Sequence, residues 1–184
     1  MFSDEYKQLL SRVNYLNRTF IPVRQKEQTF WGQDKLRAYR LLAHAEIEFY
    51  LEQAAEKIIE ELRLALENKR QPRRMERIWG QKVLNKQKNI VAENHGIKRA
   101  NVIALYEPLG ISEADFDLIN PTLLDRMDEL GKYRGHDAHK GVSHRATRTL
   151  NARVVKAHVN EVVQGLEGLD KLISSVRVRQ FFEG

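Results

Sequence analysis

Arg134-Gly135-His136-Asp137-Ala138-His139 sets an arginine and a histidine in one short run, with four residues between them. Arginine is a permanently charged planar fork suited to phosphate, and histidine is the side chain that takes or gives a proton near neutral pH. Together they are a minimal kit for cleaving a phosphodiester without a metal. Breaking an RNA strand by internal transesterification needs a base for the 2′-OH proton, an acid for the leaving 5′ oxygen and a cation for the charged phosphorane. His139 fits the general base or acid, a role worth about 100- to 10,000-fold in rate. Arg134 fits the bidentate clamp on phosphate. His136 could carry the second proton, and Asp137 could fix a histidine tautomer or hold the run in place. One such run is thin for the whole task. Two copies facing each other across a dimer axis would supply two arginines and at least two histidines.

The same residues admit plainer roles. Arg134 could pair with an acid of a long helix, and His139 could cap a helix end. His136, Asp137, His139 and His144 offer nitrogen and carboxylate groups at a spacing able to hold zinc, yet no His-Glu-x-x-His segment or further ligand cluster accompanies them. No metal and no cofactor are therefore expected. His44, His95 and His158 stand isolated, and His158 reads as a packing residue. In Ala43-His44-Ala45-Glu46-Ile47-Glu48, Glu46 falls by helical angle at the edge of an apolar arc, near Tyr39 and Tyr50. A carboxylate partly removed from water wants a cation, and Arg134 is the expected one; the alternative is a rim residue facing solvent or lysine. His44 and Glu48 fall on a stripe that reads as surface.

With 184 residues the chain suits one domain with a real core. It has no cysteine, which removes disulfides and thiolate zinc sites. The N-terminus has no basic stretch followed by an apolar one, and no apolar run approaches the ~18 residues of a membrane span, so a soluble cytoplasmic protein is expected. The net charge of +6 is unevenly placed. Residues 69–100 hold ten Lys/Arg against Glu76 and Glu93, whereas residues 101–131 hold seven acids against Arg126 alone. A basic centre of this kind is the footprint of a polyanion binder, or else a solvated face on a lysine-rich protein. Its candidate RNA contacts are Arg70, Arg73, Arg74, Arg77, Lys82 and Lys86, with Lys140 beyond them. DNA is a weaker alternative, because no compact helix-turn-helix signature accompanies the charge.

The elements that must position these residues are helices throughout. Ser3 caps a first helix with an apolar stripe of Tyr6, Leu9, Val13 and Leu16. A long second helix spans about 34–68, with Leu36, Tyr39, Ala43, Ile47, Tyr50, Ala54 and Ile58 on one stripe. Pro72 follows its end. A polar helix over 74–94 and a short one over 98–107 come next, the latter stopped by Pro108 and Gly110. Ser112 and Asp115 have the form of a capping box. Asn120-Pro121 opens a helix through Leu123, Leu124, Met127 and Leu130, which Gly131 and Gly135 should weaken where Arg134 sits. The last helix, about 147–177, carries Val155, Val159, Val162, Leu166, Leu169, Ile173 and Val176 in a heptad seam, suited to an antiparallel partner or a dimer axis. Gly165 and Gly168 inside it call for close approach of another helix.

An all-helical chain with an Ala-x-Ala-Glu segment on its long helix and an R-x4-H run between two later helices resembles the HEPN superfamily (higher eukaryote and prokaryote nucleotide-binding domains). The ordered set of Asn94-His95-Gly96-Ile97-Lys98, Pro108-Leu109-Gly110-Ile111, Arg134 to His139 and Gly165-Leu166-x-x-Leu169-Asp170 is similar to its RiboL-PSP branch. The likeness runs from about residue 35 onward. It implies an all-α antiparallel bundle with a long second helix and a long C-terminal helix; the chain reads as one such domain over 1–184, with an N-terminal helix and connector over 1–33 and a basic segment over 69–97 that can be mobile. It also implies a homodimer that joins the two R-x4-H runs, and metal-independent endoribonuclease activity with Arg134 and His139 as the catalytic pair. Stress response, toxin–antitoxin systems and phage defence are the implied settings, with RNA and a cognate antitoxin or other partner protein as partners and no membrane. The chain departs from many members in having Gly135 directly after the arginine, which leaves any supporting role to His136, Asp137 and Glu46. Some members are catalytically silent modules that dimerise or bind nucleotides or RNA, and this is the alternative.

Overall fold

The computed structural model describes residues 2–21, 28–68, 74–139 and 149–176; positions 134–139 and 175–176 are described by their helical backbone alone. Among these residues there are seven α-helices and no strand: α1 (Asp4–Phe20), α2 (Phe30–Asn68), α3 (Arg74–Ala92), α4 (Arg99–Tyr106), α5 (Glu113–Ile119), α6 (Leu123–His139) and α7 (Ala152–Val176). No helix among them is long and apolar enough to cross a membrane.

Side-chain pairs fix the helix directions. Tyr39 bonds Asn17 at 3.0 Å, Arg12 pairs with Glu46 at 2.9 Å and Lys57 with Glu5 at 3.0 Å, so α1 and α2 are antiparallel. Leu66 lies against Gly80, and Asn94 bonds Glu52 at 2.7 Å, which turns α3 back along the far half of α2. Arg126 faces Glu161 at 3.2 Å while Tyr133 stacks edge-on to His158, so α6 and α7 are antiparallel too.

The core is continuous. Tyr6, Leu9, Val13 and Leu16 of α1 meet Tyr39, Ala43, Ile47, Tyr50, Leu51 and Ala54 of α2, and the seam of α7 closes the bundle with Val155, Val159, Val162, Leu166 and Leu169. That seam packs within the protomer, against α6, α2, α1 and α5. Its heptad spacing is spent on intramolecular helices, so those buried positions are not a free docking surface. Gly165 and Gly168 do mark close approach: a Cβ at either would collide with Leu123 or Ile119.

The polar helix expected over 74–94 forms as α3 from Arg74, inside the basic segment. Two other features differ from the sequence expectation. α7 begins at Ala152, because the Gln33 amide takes both backbone groups of Leu150, at 2.7 and 3.0 Å, and holds it out of the helix. Asn151 then caps the Val154 N–H at 3.0 Å. Gly131 and Gly135 do not interrupt α6, which is helical through His139. Gly131 is where α6 meets the Lys98 turn, and a Cβ there would lie 2.9 Å from Lys98 Cγ. The packing gained offsets a propensity cost of about 1 kcal/mol.

Several buried polar groups tie the helices together. Asp170, 3% exposed, accepts from the Ser3 N–H at 2.9 Å, from the Ser3 hydroxyl and from the Tyr50 hydroxyl at 3.4 Å. Ser3 also caps α1 by accepting from the Tyr6 N–H at 3.1 Å. Tyr6 donates to the Val163 carbonyl and Tyr106 to that of Leu51, both at 2.9 Å. Burial pushes the Tyr6 phenol up to about 12 and raises those of Tyr39, Tyr50 and Tyr106 further, so all four stay protonated donors. Asp170→Ala strands these donors and should cost about 2–3 kcal/mol in urea denaturation, with Asp170→Asn costing less. A loss below about 0.5 kcal/mol would mean that the carboxylate does not hold the α1–α7 contact.

Candidate functional site

Arg134, His136, Asp137 and His139 occupy the last turns of α6. They lie on a continuous helix rather than in a loop, and their side chains fall outside the described residues, as do Arg70, Arg73 and Lys140 altogether. The helix sets their register. Positions 134 and 139 are about 140° apart around the axis and about 7.5 Å apart along it, while 134 with 137, and 136 with 139, are neighbours one turn apart. The arginine position therefore groups with the aspartate position, and the two histidine positions form a second pair.

Tyr133 ties the start of this stretch to α2. The Arg40 guanidinium lies over the Tyr133 ring, 4.5 Å from its centroid, and the other edge of the column is His158 of α7, with ring centroids 6.4 Å apart. His158 Nε2 is 2.8 Å from the Arg126 carbonyl, which can only accept, so that nitrogen carries the hydrogen. Arg126 is paired with Glu129 and Glu161, each at 3.2 Å. These residues line a cleft of about 410 Å³ with Asn151, Val154 and Leu150. The Gln33–Leu150 clamp sets the beginnings of α2 and α7 at the same end of the bundle, toward which α6 runs.

The long helix contributes more than its first apolar stripe. Arg40 is 7% exposed and His44 only 2%, so His44 is core, not surface. Leu36, Arg40, His44, Ile47, Leu51 and Ala55 recur at spacings of three and four, a second stripe that a single-stripe reading of α2 passes over. It is buried because α2 is covered on several sides. His44 Nδ1 makes no hydrogen bond and faces Glu48 Oε2 at 3.5 Å; Glu48 is itself half-buried. Burial raises the Glu52 carboxyl, against the lowering effect of the Asn94 amide and with Glu48 and Glu56 adding to the rise. His95 opposes that rise and so stands close to Glu52 rather than alone. The turn at 94–98 holds by Gly96, whose φ of 152° suits glycine, and by Asp128, which accepts from the Arg99 N–H at 2.7 Å.

Glu46 does not belong to this end. It takes Arg12 of α1 as its cation, Nε to Oε1 at 3.0 Å, because its face of α2 is turned to α1 and not to α6. Arg74, Arg77, Lys82 and Lys86 are exposed along α3. The Leu66–Gly80 contact sets that helix beside the far end of α2, about 39 Å of helix axis from Arg40 at 1.5 Å per residue. The basic residues and the R-x4-H run are thus held apart within one protomer. Among the described residues, no three His, Asp or Glu side chains converge as metal ligands would.

Comparison with protein-family models, curated proteins and solved structures finds no match to this chain.

The site geometry separates two arginines. Arg40→Met removes a largely buried cation from the Tyr133 face and should cost about 1–2 kcal/mol in urea denaturation. Glu46→Gln breaks a pair whose arginine is half in solvent and should cost under about 1 kcal/mol. The reverse order would contradict the placement of the two residues.

Proposed function

We propose that this chain is a metal-independent endoribonuclease of HEPN type that works as a homodimer, with stress response, toxin–antitoxin function or phage defence as its setting. The observation that carries the reading is the end of α6. The R-x4-H positions follow directly on Tyr133, which itself lines a cleft with Arg40, Arg126, Asn151 and His158. In the proposed reaction the 2′ oxygen attacks the adjacent phosphorus as its proton passes to a base. The P–O5′ bond breaks, and the 5′ oxygen takes a proton from an acid. The products are a 2′,3′-cyclic phosphate and a 5′-hydroxyl. His139 is assigned the proton transfer and Arg134 the phosphorane charge. His136 and Asp137 support them. Glu46, paired with Arg12, is given no part in the reaction.

Helical register supports the dimer reading. Positions 134 and 139 diverge by about 140° on a continuous helix, so two copies meeting at this end are the direct way to surround one phosphate with both residue types. RNA is gathered by the basic residues of α3 and those near them.

Arg134→Ala and His139→Ala should each abolish cleavage of mixed cellular RNA in excess EDTA while leaving helix content and thermal unfolding unchanged. Cutting at the parent rate by both variants would overturn the assignment. RNA affinity should also fall steeply with salt, about tenfold or more between 50 and 200 mM, as lysine and arginine displace counterions from phosphates. A flat response would remove the basic segment from RNA binding.

A further inference from the structure

Helix α3 has a face that no other described element covers. Gln87 and Val91 are its buried residues, and Gly80 and Leu84 complete the side turned to the core. Gln87 pins that side by donating to the Ala104 and Leu105 carbonyls at 3.0 and 2.9 Å. At about 100° per residue, Met75, Ile78, Trp79, Lys82 and Lys86 fall on the opposite side. Trp79 is 58% exposed, and Lys82 Nζ lies 5.7 Å from its ring centroid. Arg74, Arg77 and Lys88 are exposed on the same helix, whose one acid is Glu76.

The geometry points to a binding face for single-stranded RNA, with an unpaired base stacked on Trp79 and neighbouring phosphates held by Lys82 and Lys86. A flat indole set among cations matches a strand that alternates planar bases with negative charge. A second copy of the chain is a poor occupant, since it would bring Lys82 and Lys86 against the same two lysines. A bilayer is a poor one as well: the apolar positions cover little more than one turn before Lys82, and Asn85, Lys86 and Asn89 follow on that side. The identity of the strand rests on the ribonuclease reading; the face itself does not. Since it lies about 39 Å along α2 from Arg40, it acts as an exosite, and at ~3.4 Å per nucleotide of helical strand about 12 nucleotides separate it from the cut within one protomer.

The test uses the full chain carrying Trp31→Phe, so that Trp79 is the remaining tryptophan. The probe is a single-stranded 2′-O-methyl oligoribonucleotide of about 20 nucleotides, long enough to span that gap and closed to cleavage through its 2′ oxygens. The expected result is quenching of Trp79 emission by the single strand and not by the matching duplex. Trp79→Ala should weaken binding about tenfold or more, and Trp79→Phe should retain most of it. Unchanged affinity in Trp79→Ala, equal quenching by duplex, or a Trp79 response to phosphatidylserine vesicles in place of RNA would each overturn the proposal. If the parent protein never cuts RNA yet the oligonucleotide still quenches Trp79, the face stands and the ribonuclease reading falls.

Discussion

Everything in this bundle depends on covering one helix. α2 runs for 39 residues, and at 1.5 Å per residue it is about 58 Å long, more than any other helix here can match. No single partner can bury it, so cover is relayed: α1, α6 and α7 against its first part, α3 against its last, with α4 between. A helix enclosed on several sides cannot keep all of its polar residues on a free face. Arg40 and His44 are therefore inside the protein, Arg40 against an aromatic ring and His44 facing a carboxylate. The same relay separates the two features of greatest chemical interest. The R-x4-H positions gather where α2 and α7 begin, and the exposed cations of α3 gather toward the point where α2 ends.

Much of the architecture was legible because it rests on local rules. The Ser3 cap, the stop at Pro108 and Gly110, the Ser112–Asp115 box and the α1 stripe are each decided within a few residues, and each forms as expected. Gly165 and Gly168 were legible too, since helix-interior glycines imply that something packs where a side chain would stand. What the pattern could not tell was which partner each face would meet. Glu46 has the right angle for a cation but is turned to Arg12, 34 residues away in sequence and on another helix. The α7 seam has dimer-like spacing yet is filled by helices of the same chain. Gly131 and Gly135 read as weak points from propensity, but α6 runs straight through both, with Gly131 against the Lys98 turn.

The candidate site was legible in its motif and not in its setting. Residue type alone does not mark Arg40 or His44 as buried, because a charged residue one turn from an apolar stripe reads as solvated until the second covering helix is known. The signal was present as a second three-and-four spacing through Leu36, Arg40, His44, Ile47 and Leu51. It carries meaning for the chemistry as well. In the proposed reading, a cation held beside Tyr133 adds positive potential at the end of α6, where a phosphate would develop charge.

The central claim is that the 2′-hydroxyl of RNA, and not a metal-held water, breaks the strand. The most direct measurement is mass spectrometry of the fragment ends after incubation in excess EDTA, beside a substrate 2′-O-methylated at the nucleotide preceding the cut. The account predicts 2′,3′-cyclic phosphate and 5′-hydroxyl ends, and no cutting at the methylated nucleotide. Fragments with 5′-phosphate and 3′-hydroxyl ends, or continued cutting at the methylated position, would contradict it.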